Sequence, residues 1–168
     1  MAAGKSRASL ALAAAIALGL GLSACARHNA ESDLAVGAGY GAAGPGSIQE
    51  FNQTVGDRVF FDTDQTDLSP SAQATLDKQA AWLNQYNHYG FTIEGHADER
   101  GTREYNFALG ARRAQAVHDY LAAKGVAASR MKTISYGKER PVAVCDDISC
   151  WSQNRRAVTV LNGAPGSS

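Results

Sequence analysis

Phe91-Thr92-Ile93-Glu94-Gly95-His96-Ala97-Asp98-Glu99-Arg100-Gly101-Thr102 decides the fold, because its periodicity changes partway along. From Phe91 to Glu94 apolar and polar residues alternate, as in a strand with one face packed and the other wet. Thr102 then opens a run to Lys124 in which Leu109, Val117 and Leu121 recur at helical spacing. Gly125 ends the run as a natural left-handed terminator. A strand, a glycine-bounded loop and a long amphipathic helix in succession form a unit of an α/β fold.

Working outward, strand-like segments lie at Arg58–Asp62, Met131–Tyr136 and Ala157–Leu161. A first helix opens at Ser69-Pro70, a capping residue followed by proline at the position where its missing N–H costs nothing. Its Ala72, Leu76, Ala80 and Leu83 share one face. The order βαβαββ predicts a two-layer α/β sandwich, with both helices on one face of a four-stranded sheet. Trp82, Tyr86 and Tyr89 fall at the end of the first helix and read as the edge of the core. Residues 47–163 form this domain and 164–168 a tail; a chain of 168 residues has room for one such core and not two.

Lys5 and Arg7 precede an uncharged Ala- and Leu-rich stretch from Leu10 to Leu22, which reads as a secretory signal over residues 1–24. The stretch is shorter than the ~20 apolar residues that span a bilayer. It ends in Leu22-Ser23-Ala24-Cys25, which resembles the lipobox of bacterial lipoproteins, where cleavage leaves the cysteine as an acylated N-terminus. In those proteins Ala rather than Asp at position 26 favours the outer membrane. Residues 25–46 are mostly Gly, Ala and polar side chains, too poor in large apolar groups for a core, and read as a tether of roughly 25 Å relaxed and roughly 70 Å extended. Sixteen basic and 16 acidic residues give zero formal charge without long runs of one sign. A nucleic-acid binder needs a basic footprint, so no nucleic acid is expected as a partner.

Arg113 stands four residues after Leu109 and four before Val117, so a charge lies on the buried stripe of the second helix, while Arg112 points toward solvent. A buried guanidinium calls for a carboxylate, and Asp98 in the preceding loop is a candidate. Two readings stay open at this point. Asp98 and Arg113 form a structural ion pair, or they hold a ligand bearing an ammonium and a carboxylate on one carbon.

Gly95-His96-Ala97-Asp98-Glu99-Arg100-Gly101-Thr102, with Glu104-Tyr105-Asn106 and Leu109-Gly110-Ala111-Arg112-Arg113-Ala114, resembles the peptidoglycan-associated lipoproteins, a group within the OmpA-like domain family. The similarity continues through Ser135-Tyr136-Gly137-Lys138-Glu139-Arg140-Pro141 and Asn154-Arg155-Arg156-Ala157-Val158, covering nearly all of 59–161. It implies binding of the meso-diaminopimelate in uncrosslinked peptidoglycan stem peptides. Asp98 would engage the ammonium and Arg113 the carboxylate, with the loop backbone through Gly101 and Thr102 in support. Leu109 would line the pocket, Asp64 would add a polar wall, and Asn106 would hold the loop. Thr63 stands where the family usually carries an aromatic residue. The resemblance also implies a periplasmic Tol component as partner, a role in envelope integrity and cell division, and attachment to the outer membrane through the lipid. A generic wall anchor without Tol contacts is the alternative.

With Cys25 lipidated in an oxidising compartment, Cys145 and Cys150 are expected to pair, although this pair is not part of the family pattern. Trp151 is expected to pack beneath that loop. His96 near Asp98 and Glu99 offers the best enzymatic reading, a metal-dependent hydrolase. It lacks the supporting His-Glu-x-x-His and paired Cys-x-x-Cys motifs. No catalytic residue, metal or cofactor is therefore assigned.

Overall fold

The computed structural model describes residues 44–163; the signal, Cys25, the tether up to residue 43 and the tail 164–168 lie outside them. In chain order the elements are α1 (Ile48–Glu50), continued as a π-helix over Phe51–Gly56, β1 (Arg58–Phe60), α2 (Pro70–Gln85), β2 (Phe91–His96), α3 (Arg103–Ala123), β3 (Met131–Gly137), α4 (Ile148–Asn154) and β4 (Arg156–Leu161). The expected two-layer α/β sandwich is the fold. The sheet order is β1-β4-β2-β3. β2 and β3 run parallel from Phe91↔Met131, while β4 is antiparallel to both of its neighbours, with Phe91↔Leu161 and Arg58↔Val158 aligned.

Ser69 caps α2 by accepting from Ala72 N (3.2 Å), and Thr102 caps α3 by accepting from Tyr105 N (3.2 Å). Leu76 and Leu83 of α2, Phe91 and Ile93 of β2, and Val117 and Leu121 of α3 are fully buried together. Each contributes about 1.5–3 kcal/mol by leaving water. At the far end, Trp82 contacts Phe51 and Tyr89, and its Nε1 donates to Glu50 Oε2 (2.8 Å). The Tyr89 hydroxyl donates to the Gly46 carbonyl (2.8 Å), so part of the stretch assigned to the tether is tied to the domain.

Two departures from expectation bear on function. β1 ends at Phe60, not Asp62, because the Asp62 carbonyl accepts from Gln65 N (3.1 Å) to close a turn with Asp64 at φ 56°. Aspartate tolerates that left-handed conformation better than most residues. The helix α4 was not expected from the sequence. Asp147 caps it by accepting from Ser149 N (2.7 Å), and the Cys145–Cys150 disulfide, with Cα atoms 5.7 Å apart, ties its first turn to the preceding loop.

Gly95 and Gly110 set how closely α3 sits on the sheet. A Cβ on Gly95 would fall on the Gly110 carbonyl, and one on Gly110 would meet Ser135 Oγ and the Gly95 carbonyl. The backbones therefore touch, which fixes the depth of Arg113 just beyond Gly110. Gly95→Ala is expected to cost about 2–3 kcal/mol by forcing the layers apart. Urea unfolding beside Gly90→Ala, where the new methyl meets only ordinary contacts, checks this; equal effects would refute it.

Candidate ligand-binding cleft

Three segments converge above α3: the Asp62–Gln65 turn, the loop Ala97–Thr102, and Arg155 at the entry to β4. Arg113 underlies the first two and is fully buried. Its Nε donates to the Gln65 carbonyl (3.0 Å), Nη1 to that of His96 (2.8 Å) and Nη2 to that of Asp62 (3.0 Å). Phe61 lies under the guanidinium, 5.1 Å from its carbon. Burial, then the nearby Arg155 charge, pull its pKa down to about 10, which leaves it cationic at neutral pH. The expectation of a carboxylate partner is thus corrected. Backbone carbonyls satisfy this cation, and it in turn clamps the Asp62–Gln65 turn and the end of β2, from which the second loop departs, to the helix.

Asp98 pairs elsewhere. Arg100 donates to it from Nη2 (2.7 Å), from Nε (3.1 Å) and from its backbone N (3.1 Å), and Arg155 Nη1 lies 3.5 Å from Oδ2. Burial pushes the Asp98 carboxyl up, but the Arg100 hydrogen bonds and charge, with the Arg155 contact, outweigh it and hold the group below the usual carboxylate range. Arg155 Nε donates to the Phe61 carbonyl (2.9 Å), whereas its buried Nη1 has no hydrogen-bond partner.

Internal bonds pin the rest of the loop. Asn106 Nδ2 donates to the Arg100 carbonyl (2.6 Å), while Lys138 Nζ donates to the Glu99 (3.0 Å) and Gly101 (2.7 Å) carbonyls. Gly101 turns at φ 83°, and Thr102 is occupied as the α3 cap. Thr63 Oγ1 accepts from Arg100 Nη2 (3.3 Å), and Asp64 Oδ1 accepts from the Tyr105 hydroxyl (3.3 Å). These bonds bring Thr63, Asp64, Asp98 and Gly101 to one rim. Leu109 is buried on α3 one turn before Arg113. Sequence reasoning did not assign Arg100, Tyr105, Trp151 or Arg155 to the site. Arg100, Tyr105 and Arg155 each lie within a motif quoted above, whereas Trp151 lies outside them all.

A cavity of about 600 Å³ opens beside β1, between the start of α2 and α4. It shares Phe61, Asp62 and Arg155 with this cluster but not Asp98 or Arg113. His96 does not join the cleft through its ring, which is buried against Tyr136, with centroids 5.6 Å apart. Among the described residues no group of three or more His, Cys, Asp or Glu is placed to hold a metal ion.

The OmpA family model matches residues 60–155, which contain all the residues of this cleft. A peptidoglycan-associated lipoprotein of Rhizobium meliloti is 69% identical over 139 residues, covering 82% of this chain and 79% of that one. One from Pseudomonas aeruginosa is 47% identical over 123 residues, covering 71% and 73%. The crystal structure of the peptidoglycan-associated lipoprotein from Burkholderia pseudomallei is similar with a TM-score of 0.63 at 40% identity, over 66% of this chain and 96% of that chain. The C-terminal domain of Helicobacter pylori MotB, at 19% identity and TM-score 0.60 over 65% and 86%, shares the fold.

Proposed function

The chain belongs to the OmpA family, and on that basis we propose that it is an outer-membrane lipoprotein, anchored through Cys25, whose domain grips the diaminopimelate of peptidoglycan stem peptides. It would link membrane to wall as part of the Tol-Pal system, without catalysing a reaction.

The observation that carries this reading is the charge layout of the cleft. A buried carboxylate, Asp98, sits 3.5 Å from a buried guanidinium nitrogen, Arg155 Nη1, which is ion-paired to it but makes no hydrogen bond, over a floor made cationic by Arg113. An ammonium and a carboxylate on one carbon complement that layout. The ammonium goes to Asp98, and the carboxylate meets the positive side. Arg113 has five N–H groups and spends three on backbone carbonyls, so two remain for a ligand oxygen. Asp64, Thr63 and the Gly101–Thr102 backbone form the rim, with Leu109 buried on α3 one turn before Arg113. A lysine-type stem peptide brings the ammonium without the adjacent carboxylate, leaving a shielded cation unmatched, so discrimination of about tenfold or more follows. Single-site binding of so small a group is modest, and many tethered copies facing one polymer gain by avidity.

Calorimetric titration with a diaminopimelate-containing stem peptide and its lysine counterpart tests this. Asp98→Asn keeps the shape and removes the charge; it is expected to weaken diaminopimelate binding about a hundredfold. A wild-type protein that ignores both peptides refutes wall binding. Co-purification with a periplasmic Tol protein tests that partnership separately.

A further inference from the structure

Asp98, the group proposed to take the ligand's ammonium, is already paired within the domain. Both Asp98 oxygens are covered by Arg100, through Nε at 3.1 Å and Nη2 at 2.7 Å. The Arg100 guanidinium lies over the Trp151 ring, 4.3 Å from its centroid. Trp151 is itself held, since its Nε1 donates to Glu99 Oε1 (2.9 Å) and it follows Cys150 of the disulfide in α4. The other end of α4 is fastened by Asn154, which accepts from Val142 N (2.8 Å) and donates to the Ala143 carbonyl (2.8 Å). The Arg100 side chain is 40% exposed, whereas Asp98 is 9% exposed. One partner can therefore move into water while the other cannot.

We propose that Arg100, seated on Trp151, is the specificity-determining gate of this cleft: it neutralises Asp98 until a ligand cation replaces it, and then presents its own charge to the ligand's anion. This rests on the wall-binding reading and deepens it. Entry becomes an exchange of ion pairs. A ligand carrying only an ammonium trades one cation for another at Asp98 and leaves Arg100 without an anion, so the exchange gains little. A ligand with ammonium and carboxylate on the same carbon supplies a partner to each side. The flat guanidinium keeps its stacking on the indole while it shifts, because cation–π attraction tolerates sliding across the ring face. Trp151 is the positioning residue that keeps the displaced charge within reach, and the disulfide-tied helix keeps Trp151 in place.

The experiment compares affinities of the wild type, Arg100→Gln, Arg100→Lys and Trp151→Ala for the diaminopimelate and lysine stem peptides, with thermal melts to verify folding. Removing the internal competitor in Arg100→Gln is expected to strengthen lysine-peptide binding about tenfold and to reduce the preference for diaminopimelate by a similar factor. Arg100→Lys, which retains the charge without the planar fork, is expected to keep most of the preference, and Trp151→Ala to lose part of it. Tryptophan emission provides a second readout. The diaminopimelate peptide should change Trp151 emission in the wild type and not in Arg100→Gln. Wild-type selectivity that persists unchanged in Arg100→Gln, with the same emission change, overturns the gate while leaving wall binding intact. Absence of binding by the wild type overturns both.

Discussion

Arg113→Met should lower the unfolding free energy by about 3 kcal/mol, although methionine fills much of the same volume. The guanidinium donates to three backbone carbonyls, two in the Asp62–Gln65 turn and one at the end of β2. Hydrogen bonds from a charged donor contribute about 1.5–3 kcal/mol each, partly offset here because methionine escapes the burial that draws the arginine pKa down. Arg113→Lys should recover less than half of the loss, since one ammonium cannot reach carbonyls arranged around a planar fork. Urea titration measures both, and a loss below about 1 kcal/mol would show that the loops hold themselves. Lost ligand binding in any Arg113 variant therefore mixes a missing contact with a loosened cleft. Asp98→Asn is the cleaner probe.

Acidification should destabilise the domain through His96 before its carboxylates respond. The ring is almost fully buried with neither nitrogen bonded. Burial, and then the charges of Arg156, Arg140 and Arg58, push its pKa from 6.5 down to about 4, with Glu94 Oε2 at 3.6 Å the acidic group facing it. The unfolded chain thus binds this proton more readily than the folded one between those values. The contribution of the neutral ring is complete above pH 6.5 and is lost as pH falls toward 4, amounting to up to about 3 kcal/mol. Glu50, Asp77, Asp98, Asp119 and Asp147 all have carboxyl pKa values held low, so their losses come at lower pH. His96→Phe keeps a ring beside Tyr136 and cannot titrate. Its unfolding free energy should change far less than the wild type's between pH 7 and pH 4.5; parallel curves would remove His96 as the cause.

The architecture was legible because its main elements announce themselves locally. Alternation at Phe91–Glu94, the Ser69-Pro70 start and the Leu109–Val117–Leu121 stripe each report one face of one element. Helix α4 spans only seven residues, too few to display a helical period, and its only clear sign is Asp147 at the cap. Within the cleft, sequence reasoning correctly placed Arg113 on a buried face but sought a side-chain partner for it. Its actual partners are carbonyls, which every residue has and no sequence distinguishes. Arg100, Trp151 and Thr63 meet only after the chain has folded back between distant positions.

The place of β4 in the sheet governs when the domain can form during synthesis. The last strand to leave the ribosome lies between β1 and β2 and bonds to both, so Arg58 waits for Val158 and Phe91 for Leu161. Until residues 156–161 emerge, β1 has no neighbour and the sheet is a bare parallel pair. Such long-range pairing is slow and comes late. The four-stranded sheet therefore cannot close segment by segment as the chain is made: β1 gains its partner only when almost the whole domain sequence is available.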